Sequence, residues 1–254
     1  MTEIMAVATN RLVILSGPSC VGKSPLHKAL AKFHPQLGSA LRPLVLFNSR
    51  APRPGEMDGV DYHFRTREQV ESLRSDKRFV VLDVRGDLQA LDLERFAEQM
   101  EEGDLLFEGN PFMGCMLLTH PGLAHARKLS IFMAPISREE ILFLRAPERN
   151  VSLPALVTDV MRRKLLRRGR RQKSELSLAD LENIEKRAAS AYGEMREAHN
   201  FAHVIPNQDG EESDNWDAFY YPLGDARKAL TAFVALLEGK KAEGVEHWEE
   251  GLLP

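Results

Sequence analysis

Apolar residues change their spacing several times along the chain, and each change predicts an element. Residues 11–16, RLVILS, form a short unbroken apolar run closed by Gly17 and Pro18. That is the pattern of a strand buried on both faces. Directly after it, Leu26, Ala29, Leu30 and Phe33 recur at helical spacing within residues 24–33. Short apolar runs return at 43–48 (PLVLFN), 104–110 (DLLFEGN), 128–135 (KLSIFMAP) and 203–207 (HVIPN). Between them, helical periodicity predicts helices over 92–102, 159–168, 178–198 and 225–238.

Strands alternating with helices predict an α/β fold of three layers, with helices on both faces of a mostly parallel sheet. No internal repeat or low-complexity tract breaks the pattern. Residues 209–217, DGEESDNWD, read as an acidic loop, and the charged tail after Gly239 is expected to fray.

Composition narrows the class. The chain has 254 residues, 43% hydrophobic and 28% charged, enough to bury an ordinary core. A net charge of −3 argues against a molecule that as a whole clings to nucleic acid or acidic membrane. No apolar run approaches the ~20 residues of a membrane helix. The opening MTEIMAVATN lacks the basic start and long apolar stretch of a secretory signal. Two cysteines, Cys20 and Cys115, predict neither a disulfide framework nor a zinc site. A reducing, cytoplasmic setting is expected.

Candidate chemistry begins where the first strand gives way to the first helix. Gly17, Gly22, Lys23 and Ser24 complete the pattern G-x4-G-K-S/T, in the strand-to-helix context it requires. Glycines let backbone N–H groups turn inward around phosphate oxygens. The helix N-terminus adds its positive dipole. Lys23 is expected to reach the β- and γ-phosphates of ATP, and Ser24 to ligate Mg²⁺. Gly17, Ser19 and Gly22 complete the cradle. The competing reading is a chance glycine turn. Two residues are unusual. Cys20 stands where glycine is common, which requires its side chain to point outward, with the thiol near the phosphates. Pro25 suits a first helical turn. It has no N–H, however, where such loops supply a donor to the α-phosphate.

Residues 48–64, NSRAPRPGEMDGVDYHF, resemble the acceptor signature of the guanylate kinase family. Ser49, Arg50, Pro52, Arg53, Gly55, Glu56, Gly59, Asp61, Tyr62 and Phe64 match it. The likeness runs, with gaps, from about residue 11 to about residue 208. It implies a phosphate-loop (P-loop) NTPase fold and an ATP- and Mg²⁺-dependent kinase acting on a nucleoside monophosphate. It also implies one domain over 1–240, followed by a tail at 241–254. Its core would be 11–44, 93–144 and 196–240, its acceptor-binding sub-domain 45–92 and its lid 145–195. Arg50 and Arg53 are two forks on a proline-stiffened loop, suited to gripping a phosphate bidentately. Tyr62 can add a donor. By resemblance, Ser49, Arg50, Arg53 and Tyr62 hold the acceptor's phosphate. Without it, they would read as a surface turn with solvated arginines.

Elsewhere the chain departs from the family. Anchored on Gly86, the family's base-reading glutamate, tyrosine and Ser/Thr become Val80, Gln89 and Leu91. Such a site lacks partners for guanine's N1–H and amino group, and unpaired polar groups are costly. The expectation therefore extends to a nucleoside monophosphate but not to GMP itself. Asp83 or Asp87 substitutes only if the alignment slips. Glu108 and Asn110 stand where the family strand ends in two aspartates. Glu108 is expected to touch the acceptor or a Mg²⁺-bound water, or else to be an exposed strand-end carboxylate.

The run MRRKLLRRGRRQK at 161–173 carries eight basic residues. Read alone it is a solvated helix face or a nucleic-acid patch. The resemblance makes it a lid, with Arg168 and Arg187, and Arg170 as a further candidate, neutralising the transferring phosphoryl group. Residues 146–158 read as an insertion without an assigned role. Asn207 falls where the family places a residue beside adenine. Two other functions stay open. One is a guanylate-kinase-like module that binds a phospholigand without turnover, against which Lys23 and Ser24 argue. The other is nucleic-acid binding through the basic run. No membrane partner is expected, and no oligomeric state follows.

The proline yields a first test. Pro25→Thr restores an N–H, and should tighten ATP and ADP binding in Mg²⁺ by about 1 kcal/mol, the net worth of one hydrogen bond. Calorimetry on both proteins checks this. A mutant that binds no tighter means that Pro25 does not mark a missing donor.

Overall fold

The structure, a computed structural model, describes residues 10–53 and 55–254. Its first elements are β1 (Arg11–Ser16), a tight loop, and α1 (Lys23–Phe33). Then come α2 (Pro35–Ala40), β2 (Arg42–Pro43), β3 (Phe47–Asn48), β4 (His63–Phe64) and α3 (Arg67–Ser72). These are followed by β5 (Phe79–Val84), β6 (Asp87–Asp92), α4 (Leu93–Glu102), β7 (Leu105–Gly109) and α5 (Pro111–Thr119). The rest are β8 (Arg127–Ala134), α6 (Arg138–Arg145), α7 (Leu153–Gln172), α8 (Leu178–Arg196), β9 (His203–Pro206) and α9 (Gly224–Leu237). Strand neighbours run β2-β7-β1-β8-β9 in one sheet and β4-β3-β6-β5 in another. The first sheet is mostly parallel, as in β2 on β7 and β8 on β9. This is the α/β fold that the alternating pattern predicts, of the phosphate-loop type that the resemblance implies.

Two compact units divide the chain. One holds residues 1–14, 40–108 and 116–129, and the other 15–39, 109–115 and 130–254. The sub-domain expected at 45–92 lies within the first, and the lid expected at 145–195 within the second.

In the first unit, the apolar run 43–48 does not form one strand. Its start pairs with β7 as β2, and its end pairs with β4 and β6 as β3. The alternation in 79–92 forms a hairpin, with Val81 opposite Ala90 and Leu82 opposite Gln89. Its two-residue turn takes left-handed backbone at both Arg85 (φ 59°) and Gly86 (φ 83°), matching the twist of the flanking strands. One face of the hairpin buries Val81, Leu88 and Ala90 against Val70 of α3. A Thr66–Gln69 capping box starts that helix. The other face carries Gln89 and Leu91, both buried.

In the second unit, the expected helix at 159–168 is longer, because Ser152 caps α7 and Pro154 sits in its first turn. Much of the apparent insertion at 146–158 is thus the N-terminal part of α7. The tail after Gly239 does not fray. Trp248, Leu252 and Leu253 are buried. Val204 and Glu246 exchange backbone hydrogen bonds. Arg138 pairs with Glu249, and Tyr192 donates to the Pro254 carbonyl. The charges that suggested fraying lie on the outer side of an apolar anchor.

Trp248 is 2% exposed and packs 6.4 Å from the Phe132 ring on β8. Trp248→Ala should cost about 3–5 kcal/mol of stability, read as an earlier midpoint in a denaturant melt. A loss under ~1 kcal/mol, the range of surface substitutions, would mean that the tail is not part of the core.

Candidate active site

The phosphate loop lies in the second unit. Gly17 has φ 151°, and a Cβ there would sit 2.5 Å from the Met133 carbonyl oxygen. Gly22 has φ 104°, and a Cβ there would meet the Asn207 amide at 2.5 Å. Both positions therefore need glycine. Lys23 opens α1 and is 7% exposed. Its Nζ donates to the carbonyls of Gly17 (2.8 Å) and Pro18 (2.9 Å), so the ammonium is held inside its own loop. Ser24 follows in the first helical turn, with Pro25 next to it.

Cys20 departs from expectation. Its backbone is left-handed (φ 68°), and its side chain is buried rather than turned outward. The thiol donates to Glu212 at 3.5 Å. Burial first, then the charges of Glu211 and Glu212, push its pKa up to about 12, against the opposing pull of Arg168 and Arg187. The thiol stays protonated and is no nucleophile.

Asn207, expected beside adenine, is fully buried. Its Nδ2 donates to the carbonyls of Val21 (2.8 Å) and Asp209 (2.7 Å). It is a strut under the phosphate loop, seated in the room that Gly22 leaves for it. Trp216 completes the same floor by donating to the carbonyls of Asp209 and Gly210, each at 3.0 Å.

The expected lid arginines reach this loop. Arg187 on α8 donates through Nε to Ser19 Oγ at 3.0 Å. Arg168 on α7 pairs with Glu211 at 2.7 Å. Much of the remaining basic run is also paired: Arg162 with Glu185, Arg163 with Asp159, Lys164 with Glu212, Arg171 with Asp214 and Lys173 with Asp180. The acidic segment 209–217 thus faces the basic helix, which the sequence pattern alone did not indicate. Asn110 caps α5 by accepting from Phe112 N–H at 2.9 Å, and its buried Nδ2 has no partner among the described residues.

The phosphate grip expected for the acceptor lies in the first unit. Arg50 forms a two-pronged pair with Glu56, at 2.6 and 2.7 Å. Arg53 is joined to the same carboxylate through its backbone N–H at 2.7 Å. The Arg50 guanidinium stacks 5.2 Å from the Tyr62 ring and 5.4 Å from that of Phe64. Ser49 Oγ accepts from Leu88 N–H at 2.8 Å, tying the loop to β6. Burial raises the Tyr62 pKa, with Arg50 and Arg53 opposing and the charges of Glu56 and Glu108 adding to the rise. Glu108, at the end of β7, thus lies near enough to Tyr62 for its charge to act on it. Glu56 organises the cluster and had no role in the sequence reading. The three-residue spacing of Arg50, Arg53 and Glu56 was the available signal.

The second unit thus carries a glycine-shaped loop with a buried lysine and arginines from two helices, and the first unit carries an arginine cluster with a tyrosine. The donor set fits a polyphosphate. Among the described residues, no group of three or more His, Cys, Asp or Glu could hold a metal ion. No helix among them is long and apolar enough to cross a membrane. The family described as "Guanylate kinase" matches residues 9–85. A guanylate kinase of Synechococcus sp. (strain JA-3-3Ab) is 30% identical over 220 residues, 84% of this chain and 82% of that protein. One from Rhodococcus jostii (strain RHA1) is 31% identical over 214 residues, 82% of this chain and 85% of that protein. The crystal structure of guanylate kinase from Anaplasma phagocytophilum aligns at TM-score 0.47 and 19% identity, over 80% of this chain and 79% of that one. The chain belongs to the guanylate kinase family and is a phosphotransferase of the nucleoside monophosphate kinase type.

Glu56 gives this site a pH signature. Burial disfavours its charge, but the hydrogen bonds and charges of Arg50 and Arg53 outweigh that and hold its pKa below the usual carboxylate value. The stability that it contributes is complete above its unfolded pKa of about 4.3 and is lost as pH falls through the lower folded value. Glu56→Gln should therefore destabilise the protein at neutral pH by roughly 1–3 kcal/mol, the scale of charged hydrogen bonds. The penalty should vanish in strong acid. Equal penalties at pH 7 and pH 3 in paired thermal melts would contradict this assignment.

Proposed function

We propose that the protein transfers the γ-phosphoryl group of ATP to a nucleoside 5′-monophosphate, with GMP as the acceptor. The observation that carries this reading is the intact phosphate loop with Lys23 buried in it. A module that only bound a phospholigand would have no use for that loop. The names of the relatives support GMP.

Lys23, Arg168 and Arg187 are the catalytic cations. Each is held on an internal oxygen in this structure, and each must exchange that partner for phosphate oxygens. Lys23 leaves the Gly17 and Pro18 carbonyls for the β- and γ-phosphates. Arg168 and Arg187 leave Glu211 and Ser19 to neutralise charge that builds on the transferring group. Gly17, Ser19, Gly22 and Ser24 line the ATP cradle. Ser24 and the phosphates would hold Mg²⁺, which would supply further neutralisation of that charge. Ser49, Arg50, Arg53 and Tyr62 hold the acceptor phosphate, and Glu108, whose charge acts on Tyr62, is a further acceptor contact. The reaction needs no covalent intermediate, because positioning and charge neutralisation lower the barrier.

The departures at Val80, Gln89 and Leu91 bear on the base. All three lie on one face of the hairpin, because Val80 pairs with Leu91, and Leu82 with Gln89. Gln89 is 8% exposed and offers both a donor and an acceptor. That combination suits guanine's O6 and N1–H edge within an otherwise apolar wall.

A coupled ADP-release assay over a panel of nucleoside monophosphates tests the reading, with GMP expected to give the highest kcat/KM. Lys23→Ala should remain folded and lose at least ~100-fold in turnover, the scale of a preorganised charge contact. Arg50→Ala should raise the acceptor KM by the equivalent of about 2–3 kcal/mol and leave ATP affinity unchanged. ATP binding with no ADP release for any monophosphate would defeat the kinase reading and leave a phospholigand-binding module.

A further inference from the structure

The segment after β9 carries two carboxylates that phosphoryl transfer does not call for. The Glu211 backbone N–H donates to the Cys20 carbonyl at 3.4 Å, while its carboxylate pairs with Arg168 at 2.7 Å. Glu212 is 7% exposed. One of its oxygens takes Lys164 at 3.3 Å, and the other accepts the Cys20 thiol at 3.5 Å. Asp214 takes Arg171 at 2.8 Å. Lys164, Arg168 and Arg171 stand at i, i+4 and i+7, on one face of α7.

The approach is tight. A Cβ on Gly210 would lie 2.3 Å from Glu212 and 2.5 Å from the Cys20 carbonyl. Lys164, Arg171, Glu212 and Asp214 line a cavity of about 510 Å³ between α7 and the 208–214 segment, together with Arg163, Arg167 and Gln208. Two carboxylates thus sit against the loop that is read as binding the most negative part of ATP. Buried ion pairs of this kind are poor sources of stability compared with apolar packing. A nucleotide arriving at the loop meets their repulsion and competes with them for Arg168 and Lys164.

We propose that Glu211 and Glu212 form an electrostatic latch. In the nucleotide-free protein they hold Arg168 and Lys164 against the phosphate loop, and the phosphate charge of ATP takes those cations over. They are positioning residues that set nucleotide affinity, and the proposal rests on reading Lys23 and Arg168 as ATP contacts. It explains why the left-handed position 20 carries a cysteine. The thiol gives Glu212 a donor where glycine would offer none.

The test is ATP affinity of the full chain by calorimetry, without acceptor, for wild type, Glu211→Gln, Glu211→Asp and Glu212→Gln, alongside thermal melts. Each glutamine variant should bind ATP at least ~5-fold tighter. Glu211→Asp, which keeps the charge, should stay within ~2-fold of wild type. If the pairs were only struts for α7, the glutamine variants would bind ATP more weakly, and that result overturns the latch. Unchanged affinity overturns it equally. Glu212 is the more buried of the two, so if Glu212→Gln does not fold, the partly exposed Glu211 pair decides. Wild type that binds no ATP defeats the proposed function together with the latch. Wild type that binds while the variants do not tighten defeats the latch alone.

Discussion

The nucleotide half of this protein depends on one close approach. Gly22 has no side chain, and the Asn207 amide occupies the space that a Cβ would take. From there the amide bonds to the carbonyls of Val21 and Asp209. The Asn207 backbone N–H donates to the Ala134 carbonyl, so the strut is anchored to the end of β8. One buried side chain thus fixes the phosphate loop relative to the segment that carries Asp209, Glu211, Glu212 and Trp216. Lys23 is seated within that loop by the Gly17 and Pro18 carbonyls, and α7 reaches the same segment through Arg168 and Lys164. Both N–H donors of this buried amide are used, while its Oδ1 has no partner among the described residues.

A second regularity runs through both halves. The cations expected to meet phosphate are held by internal oxygens. Lys23 rests on two carbonyls, Arg187 on Ser19, Arg168 on Glu211 and Arg50 on Glu56. A desolvated cation needs a partner whether or not a substrate is present. Such partners keep the side chains near working positions and reduce the ordering that substrate must impose. They also set the strength of competition that a phosphate must overcome. A carboxylate partner competes more strongly than a carbonyl or a hydroxyl, because it carries full charge. That difference separates Arg168 and Arg50 from Lys23 and Arg187.

Sequence alone determined the features that depend on local rules. The spacing of Gly17, Gly22, Lys23 and Ser24 between an apolar run and a helical pattern locates the phosphate loop, because backbone conformation there leaves little choice of residue. Apolar periodicity predicted α4, α8, α9 and strands β1, β7, β8 and β9 to within a few residues. The matched stretch 48–64 singled out Arg50, Arg53 and Tyr62, which the structure gathers around Glu56. Tertiary structure decided what depends on partners far along the chain. The run 43–48 splits between two sheets because Pro43 and Phe47 find different neighbours. The 79–92 hairpin shows its alternation only once α3 covers one face. The charged tail looked mobile because its few apolar residues, Trp248, Leu252 and Leu253, gain meaning only against a core that other segments build. The seats of Asn207 and Cys20 were hidden from the sequence for the same reason. Their surroundings come from residues 186 and 192 positions distant, Val21 and Glu212 respectively, and no local pattern encodes such a meeting.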